Sequence, residues 1–173
     1  AKPYPRLHLL DNDEITLNGA RFIGSTLWTD YALDGRFDKQ KTMDFISFYL
    51  NDHRFIKYGD NRFTAQDALL LHQKAKLYLH EKLKEPFEGK TVVVTHHAPS
   101  LICHHPDFEM DQMAAAFISD CDDLLQYADV WCFGHTHANV DMHINGCRVM
   151  SNQKGYSCER MPHSFNPRLV IKI

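Results

Sequence analysis

Thr91-Val92-Val93-Val94-Thr95-His96-His97-Ala98-Pro99 and Val130-Trp131-Cys132-Phe133-Gly134-His135-Thr136-His137 decide the reading of this chain. Each opens with a short unbroken apolar run, the pattern of a strand buried on both faces. Each run then ends in histidine. In open α/β sheets ligands gather at the carboxyl ends of strands, so two neighbouring strands of this kind bring His96, His135 and His137 near one another. Neutral imidazole is the commonest transition-metal ligand in proteins. The intervening Thr136 lets two rings project from one segment, and Gly134 is expected to supply the tight bend that aims them. A lone histidine after a strand is more often a loop residue than a ligand; the second motif is what lifts His96, His135 and His137 above that reading. His97 is expected to pack behind the ligands.

Outward from these runs, Asn18-Gly19 lies between Glu14–Leu17 and a β-rich run from Arg21 to Leu27, and Asn145-Gly146 lies between Val140–Ile144 and Cys147–Met150. Asn-Gly between two such runs predicts a two-residue hairpin, because both turn positions favour positive φ. A helix is predicted over Phe37–Leu50 and a loop over Asn61–Thr64. A second helix should start at Thr64, where Thr64 and Asp67 form a capping box, and stop before Pro86. Gln112–Tyr127 reads as helical, and Leu169–Ile171 as a last strand. Strands and helices interleave, and hairpins follow, so a layered α/β domain with a mixed sheet is expected. Of the other histidines, His72 and His80 are expected on a solvated helix face. His104 and His105 are expected in a solvated loop, and His8, His53, His143 and His163 as structural residues.

The chain has 173 residues, 44% of them hydrophobic and 24% charged, which suits one globular domain and excludes a disordered tail, a collagen or a simple coiled coil. A net charge of −3 argues against a partner bound through a nucleic-acid backbone. No apolar run approaches the length of a bilayer span, and no partner membrane is expected. The five cysteines include no pair at zinc-ribbon or thioredoxin spacing, so reduced thiols in a cytoplasmic protein are expected. No His-Glu-x-x-His helix supports a zinc peptidase, and neither Ser100 nor Ser151 has the nucleophile-elbow context.

Thr95-His96-His97-Ala98-Pro99-Ser100 and Phe133-Gly134-His135-Thr136-His137-Ala138-Asn139-Val140-Asp141 resemble the last two metal motifs of the calcineurin-like metallophosphoesterases. Leu9–Asp13, Phe22–Asp30 and Ser151–Tyr156 are similar to a bacterial branch of that family, so the resemblance covers nearly the whole chain. It implies a β-sandwich flanked by helices and a site with two divalent metal ions (Mn, Fe or Zn). It assigns His96 and His135 to one ion and His137 to the other. It implies hydrolysis of a phosphate mono- or diester by a metal-bound hydroxide.

The family's remaining ligands are an Asp-x-His pair, a bridging Asp in a Gly-Asp motif, and an Asn-His pair. None is found in this chain. Gly59-Asp60 and Asn51-Asp52-His53 lie in the wrong context, within the family's middle insertion. Residues 1–173 are therefore expected to form a single, N-terminally truncated domain that carries part of a two-metal site. Catalytic residues beyond the ligands are unassigned. A sheet edge and an apolar face should be exposed, to be covered by a complementing chain or by homo-oligomerisation. The alternative is a non-catalytic module that keeps a vestigial histidine cluster and acts by binding a partner.

Overall fold

The computed structural model describes residues 7–159 and 161–173; the irregular lead-in expected at Pro3 to Pro5 lies outside them. Asp13–Leu17 (β1) and Ala20–Ser25 (β2) form the first hairpin, with Asn18 at φ 51 and Gly19 at φ 79 in the turn. Asp141–Ile144 (β7) and Cys147–Met150 (β8) form the second, with Asn145 at φ 50 and Gly146 at φ 84. Both turns have the left-handed geometry that Asn-Gly tolerates. Lys90–Thr95 (β5) and Val130–Cys132 (β6) lie between them, giving a six-stranded sheet of order β1-β2-β5-β6-β8-β7. The four central strands are parallel and the two edges antiparallel.

Helices cover one face. Asp38 caps Lys39–Tyr49 (α1) through a 2.8 Å bond from Lys41 N. Asn51–Phe55 (α2) continues from it. The Thr64–Asp67 capping box starts Ala65–Lys84 (α3), which ends ahead of Pro86 as expected. Arg21 is buried, and its guanidinium donates to the carbonyls of Lys82 at 3.0 Å and Glu85 at 3.3 Å, satisfying acceptors that the helix end leaves open. Between these helices and the sheet lie Ile23, Ile46, Leu79, Val93, Trp131 and Val149.

The structure differs from the sequence reading in several places. Gln112–Tyr127 is not one helix. A 3-10 turn over Gln112–Ala116 breaks at Phe117, and only Asp122–Leu125 (α4) is α-helical. The break has a cause: Ala98 N donates to Phe117 O at 3.1 Å and Ser119 N to Ala98 O at 3.2 Å, so backbone groups that a helix would use are taken by the loop after β5. Asn61–Arg62 (β4) pairs with Lys57–Tyr58 (β3) rather than forming a loop. Leu169–Ile171 joins no ladder; Ile171, like Phe22 and Cys132, instead packs against the cluster of Val92, Val130 and Met150 on the second face of the sheet.

That second face bears on the expected sandwich. Among the described residues the strands form one six-stranded sheet and one two-stranded ribbon, and no second sheet stacks on the first. Gly24 is crossed by the incoming chain: a Cβ there would lie 2.8 Å from the carbonyl oxygen of Leu10. Val94 stands on a strand paired on both sides, yet it is 44% exposed. Central parallel strands are ordinarily covered on both faces. No described helix is long and apolar enough to cross a membrane. All five cysteines are free; burial pushes the Cys103, Cys121 and Cys147 thiols up to about 12, which makes them inert.

His72 does not lie on a solvated face. It is 3% exposed, and its Nδ1–H donates to Leu27 O at 3.1 Å, tying α3 to the loop after β2. Burial lowers its pKa below the usual 6.5. As pH falls below about 6.5 the unfolded chain takes up a proton that the folded chain refuses, so stability present above that pH is lost on acidification through the folded pKa. His72→Gln should flatten part of this decline and cost about 1 kcal/mol at pH 8. Urea unfolding from pH 8 to pH 5 checks it, with a residual slope left by the other histidines that burial depresses, His53, His96, His97 and His135.

Candidate functional site

The carboxyl ends of β2, β5, β6 and β8 lie side by side, and the loops that leave them build the site. The ladder pairs Val94 with Cys132, and just beyond it Gly134 N donates to His96 O at 3.0 Å. This holds the two histidine motifs together. The rings of His96 and His135 have centroids 4.6 Å apart, and those of His97 and His135 4.4 Å.

His97 is 1% exposed and packs on Trp28, with ring centroids 5.0 Å apart. Its Nδ1–H donates to Thr26 O at 3.1 Å. Its own carbonyl accepts from Thr95 Oγ1 at 2.7 Å, and that hydroxyl accepts from Trp131 Nε1 at 3.0 Å. A buried polar chain thus runs from β6 through β5 to the histidine loop. Phe117 stacks on His135 at 4.6 Å, placed there by the same pairing that breaks the expected helix.

The bend of the second motif is made differently from the expectation. Gly134 has no positive φ, and a Cβ there would meet His96 at an ordinary 3.6 Å. The left-handed residues are the histidines themselves, His135 at φ 66 and His137 at φ 53. Non-glycine residues pay about 1–2 kcal/mol each for this conformation. Gln153 holds it in place. Its Oε1 accepts from His137 N at 2.9 Å, and its Nε2 donates to Thr136 Oγ1 at 3.0 Å and Ala138 O at 2.9 Å. Asn139 grips the backbone of Gln153 in return, its amide donating to Gln153 O at 3.0 Å and its Oδ1 accepting from Gln153 N.

His137 Nδ1–H donates to Glu159 Oε2 at 2.7 Å, and its ring meets Tyr156 edge-on at 4.9 Å. The backbone N–H of Tyr156, and then His137, hold the Glu159 carboxyl below its usual range. Burial first, then the neighbouring His96 and His137 rings, hold His135 down at about 3. Burial, then the neighbouring His135 and His96 rings, push His97 far down as well. Burial also lowers His96. The imidazoles of His96, His97 and His135 are therefore neutral at physiological pH.

The donor chemistry suits a divalent ion. His137 spends Nδ1–H on a carboxylate, the arrangement that orients metal-ligating histidines. His135 Nε2 is buried without any partner. An orphaned, uncharged imidazole nitrogen beside a second imidazole is costly unless something binds it. The set is nonetheless incomplete: among the described residues no three His, Cys, Asp or Glu side chains converge to hold one ion. His96 and His135 are brought together, while His137 is engaged with Glu159 and Tyr156.

A cleft of about 720 Å³ opens beside His135, Thr136 and His137. The loop over residues 104–109 forms one wall, and neither of its histidines is freely solvated. His105 is 6% exposed and accepts from Asp107 N at 3.1 Å. His104 Nε2–H donates to Phe108 O at 3.1 Å. A more open depression of about 520 Å³ among Arg21, Pro86 and Asp129 lies at the opposite end of the strands. Sequence reasoning missed Phe117, which it placed in a helix, and Glu159, whose position carries no local pattern. Thr26, Asn139 and Gln153 fell inside similar stretches but had no role assigned.

Gln153→Ala removes three hydrogen bonds from a strained turn. It should lower unfolding stability by about 2 kcal/mol. Hydrogen exchange at the His137 amide should rise by more than that global loss explains; urea unfolding with exchange NMR measures both.

No protein-family model matches the chain. It is 29% identical, over 98% of its length, to an uncharacterised protein of Acanthamoeba polyphaga mimivirus. It is similar in structure, with a TM-score of 0.61 over 86% of its length and 18% identity, to the phosphopantetheinyl hydrolase of Mycobacterium tuberculosis. The chain spans 61% of the viral protein and 54% of the hydrolase chain. The second likeness shows that the two chains share a mixed α/β fold with flanking helices.

Proposed function

We propose that the protein to which this chain belongs is a metal-dependent phosphoesterase of the calcineurin-like type, and that this chain supplies part of its two-metal site. The observation that carries the reading is the buried, unpartnered Nε2 of His135 beside the ring of His96. His96 and His135 would hold one ion, and His137, with Nδ1–H fixed by Glu159, would contribute to the other. Bound divalent ions supply charge neutralisation at the phosphoryl oxygens and lower the pKa of water at neutral pH. The chain's own residues orient and exclude. Thr26 and Trp28 fix His97 behind the pair, Phe117 shields one face of His135, and Gln153 holds the turn that presents His135 and His137. The shared fold with a protein named as a phosphopantetheinyl hydrolase supports a hydrolase, and the chain spans only part of the length of both relatives.

The absence of three converging donors among the described residues favours a second reading, a non-catalytic module that binds a partner. The two separate experimentally. Under the first, the complete protein hydrolyses bis(4-nitrophenyl) phosphate with added Mn²⁺ and stops on chelation. His135→Ala then costs more than the roughly 10- to 100-fold typical of losing a ligand's hydrogen-bond partner. Unchanged turnover in that variant, or no metal-stimulated turnover at all, would reject the enzyme reading.

A further inference from the structure

The cleft beside His135 and His137 has a composition that the phosphoesterase reading does not use. Its charged lining is five carboxylates, those of Asp52, Asp107, Glu109, Asp111 and Glu159. No lysine or arginine lines it among the described residues. Its apolar lining is Leu50, Met113 and Ala114 with four aromatic rings: Phe117 and Tyr156 sit against the two histidines, and Tyr49 and Phe108 are largely exposed. At about 720 Å³ it accommodates a small organic group, well beyond the reach of one phosphate.

Sites that take phosphate chains or nucleic acids through this protein's own side chains need lysine, arginine or open helix N-termini. This wall has the opposite sign. Two of the carboxylates already have structural work: Asp111 accepts from Met113 N at 2.8 Å, and Glu159 holds His137. Asp52, Asp107 and Glu109 line the cleft and make no side-chain hydrogen bond or ion pair among those of the described residues. Aromatic faces add attraction for organic cations, above all quaternary ammonium.

We infer that this cleft is the subsite for the organic part of the ester, and that it selects a group that is cationic or uncharged and excludes polyphosphate and nucleic-acid chains. The inference rests on the phosphoesterase reading for the position of the phosphate, beside the histidines. Selection comes from the carboxylates: each added negative charge on the organic group meets like charge within a Debye length.

The test is calorimetric titration of the chain at pH 8, without added metal, with three probes: 4-nitrophenyl phosphorylcholine, bis(4-nitrophenyl) phosphate and adenosine triphosphate. The expected order of affinity is choline ester, then the diester, whose aryl groups are uncharged and whose single charge sits on the phosphate, then nucleotide, with about tenfold or more between first and last. In the variant carrying Asp52→Asn, Asp107→Asn and Glu109→Gln the gap should shrink to about threefold, mainly by tighter nucleotide binding. Nucleotide binding as tight as that of the choline ester, a gap unchanged in the variant, or no binding of any probe overturns the inference. If the preference holds but the complete protein hydrolyses neither ester, the subsite stands and the phosphoesterase reading falls. If it hydrolyses polyanionic esters best, that reading stands and the subsite falls.

Discussion

The parallel ladder between β5 and β6 is the constraint from which the site follows. Its register, Val92 with Val130 and Val94 with Cys132, sets His96 against Gly134 and puts both histidine motifs at one end of the sheet. A slip of one residue would turn every side chain of a strand to the other face. Trp131 and Val93 would then leave the core beneath the helices, so burial of a large apolar area enforces a register that serves the imidazoles. The bond from Trp131 Nε1 to Thr95 Oγ1 adds a polar check on the same alignment, because a buried indole N–H without an acceptor is expensive.

Around this register the protein spends stability on geometry. Two histidines in left-handed backbone, an orphaned imidazole nitrogen and three rings packed together are each unfavourable in isolation. They persist because Gln153, Asn139 and Thr26 over-determine the loops that carry them. Observed strain held by a dense polar lock is the usual mark of a functional site. The loop after β2 belongs to the same pattern. Leu27, Trp28 and Tyr31 all have positive φ there, and carbonyls from this segment anchor His97 and His72.

The two faces of the sheet are treated unequally. Helices α1 and α3 cover one over the central strands, while the other has a small cluster around Val92, Val130 and Met150, the tail residue Ile171, and an exposed Val94. The incomplete donor set and the uncovered strand lie on the same parallel strands.

Local patterns carried much of the fold. Two Asn-Gly hairpins, the Thr64–Asp67 cap, the stop before Pro86 and the buried runs of β5 and β6 were legible because turn chemistry, capping and hydrophobic run length act over a few residues. The pairing of His96 with His135 was legible too, since strand ends in a parallel sheet converge. What the sequence could not show was set by distant partners. Phe117 leaves its helix because Ala98 takes its carbonyl, His72 is buried because Leu27 offers an acceptor 45 positions away, and His137 meets Glu159 through a loop with no periodicity. Hydrophobic pattern determines which segments become strands and helices; the competition for buried hydrogen bonds, which only the assembled tertiary structure settles, decides where each histidine points.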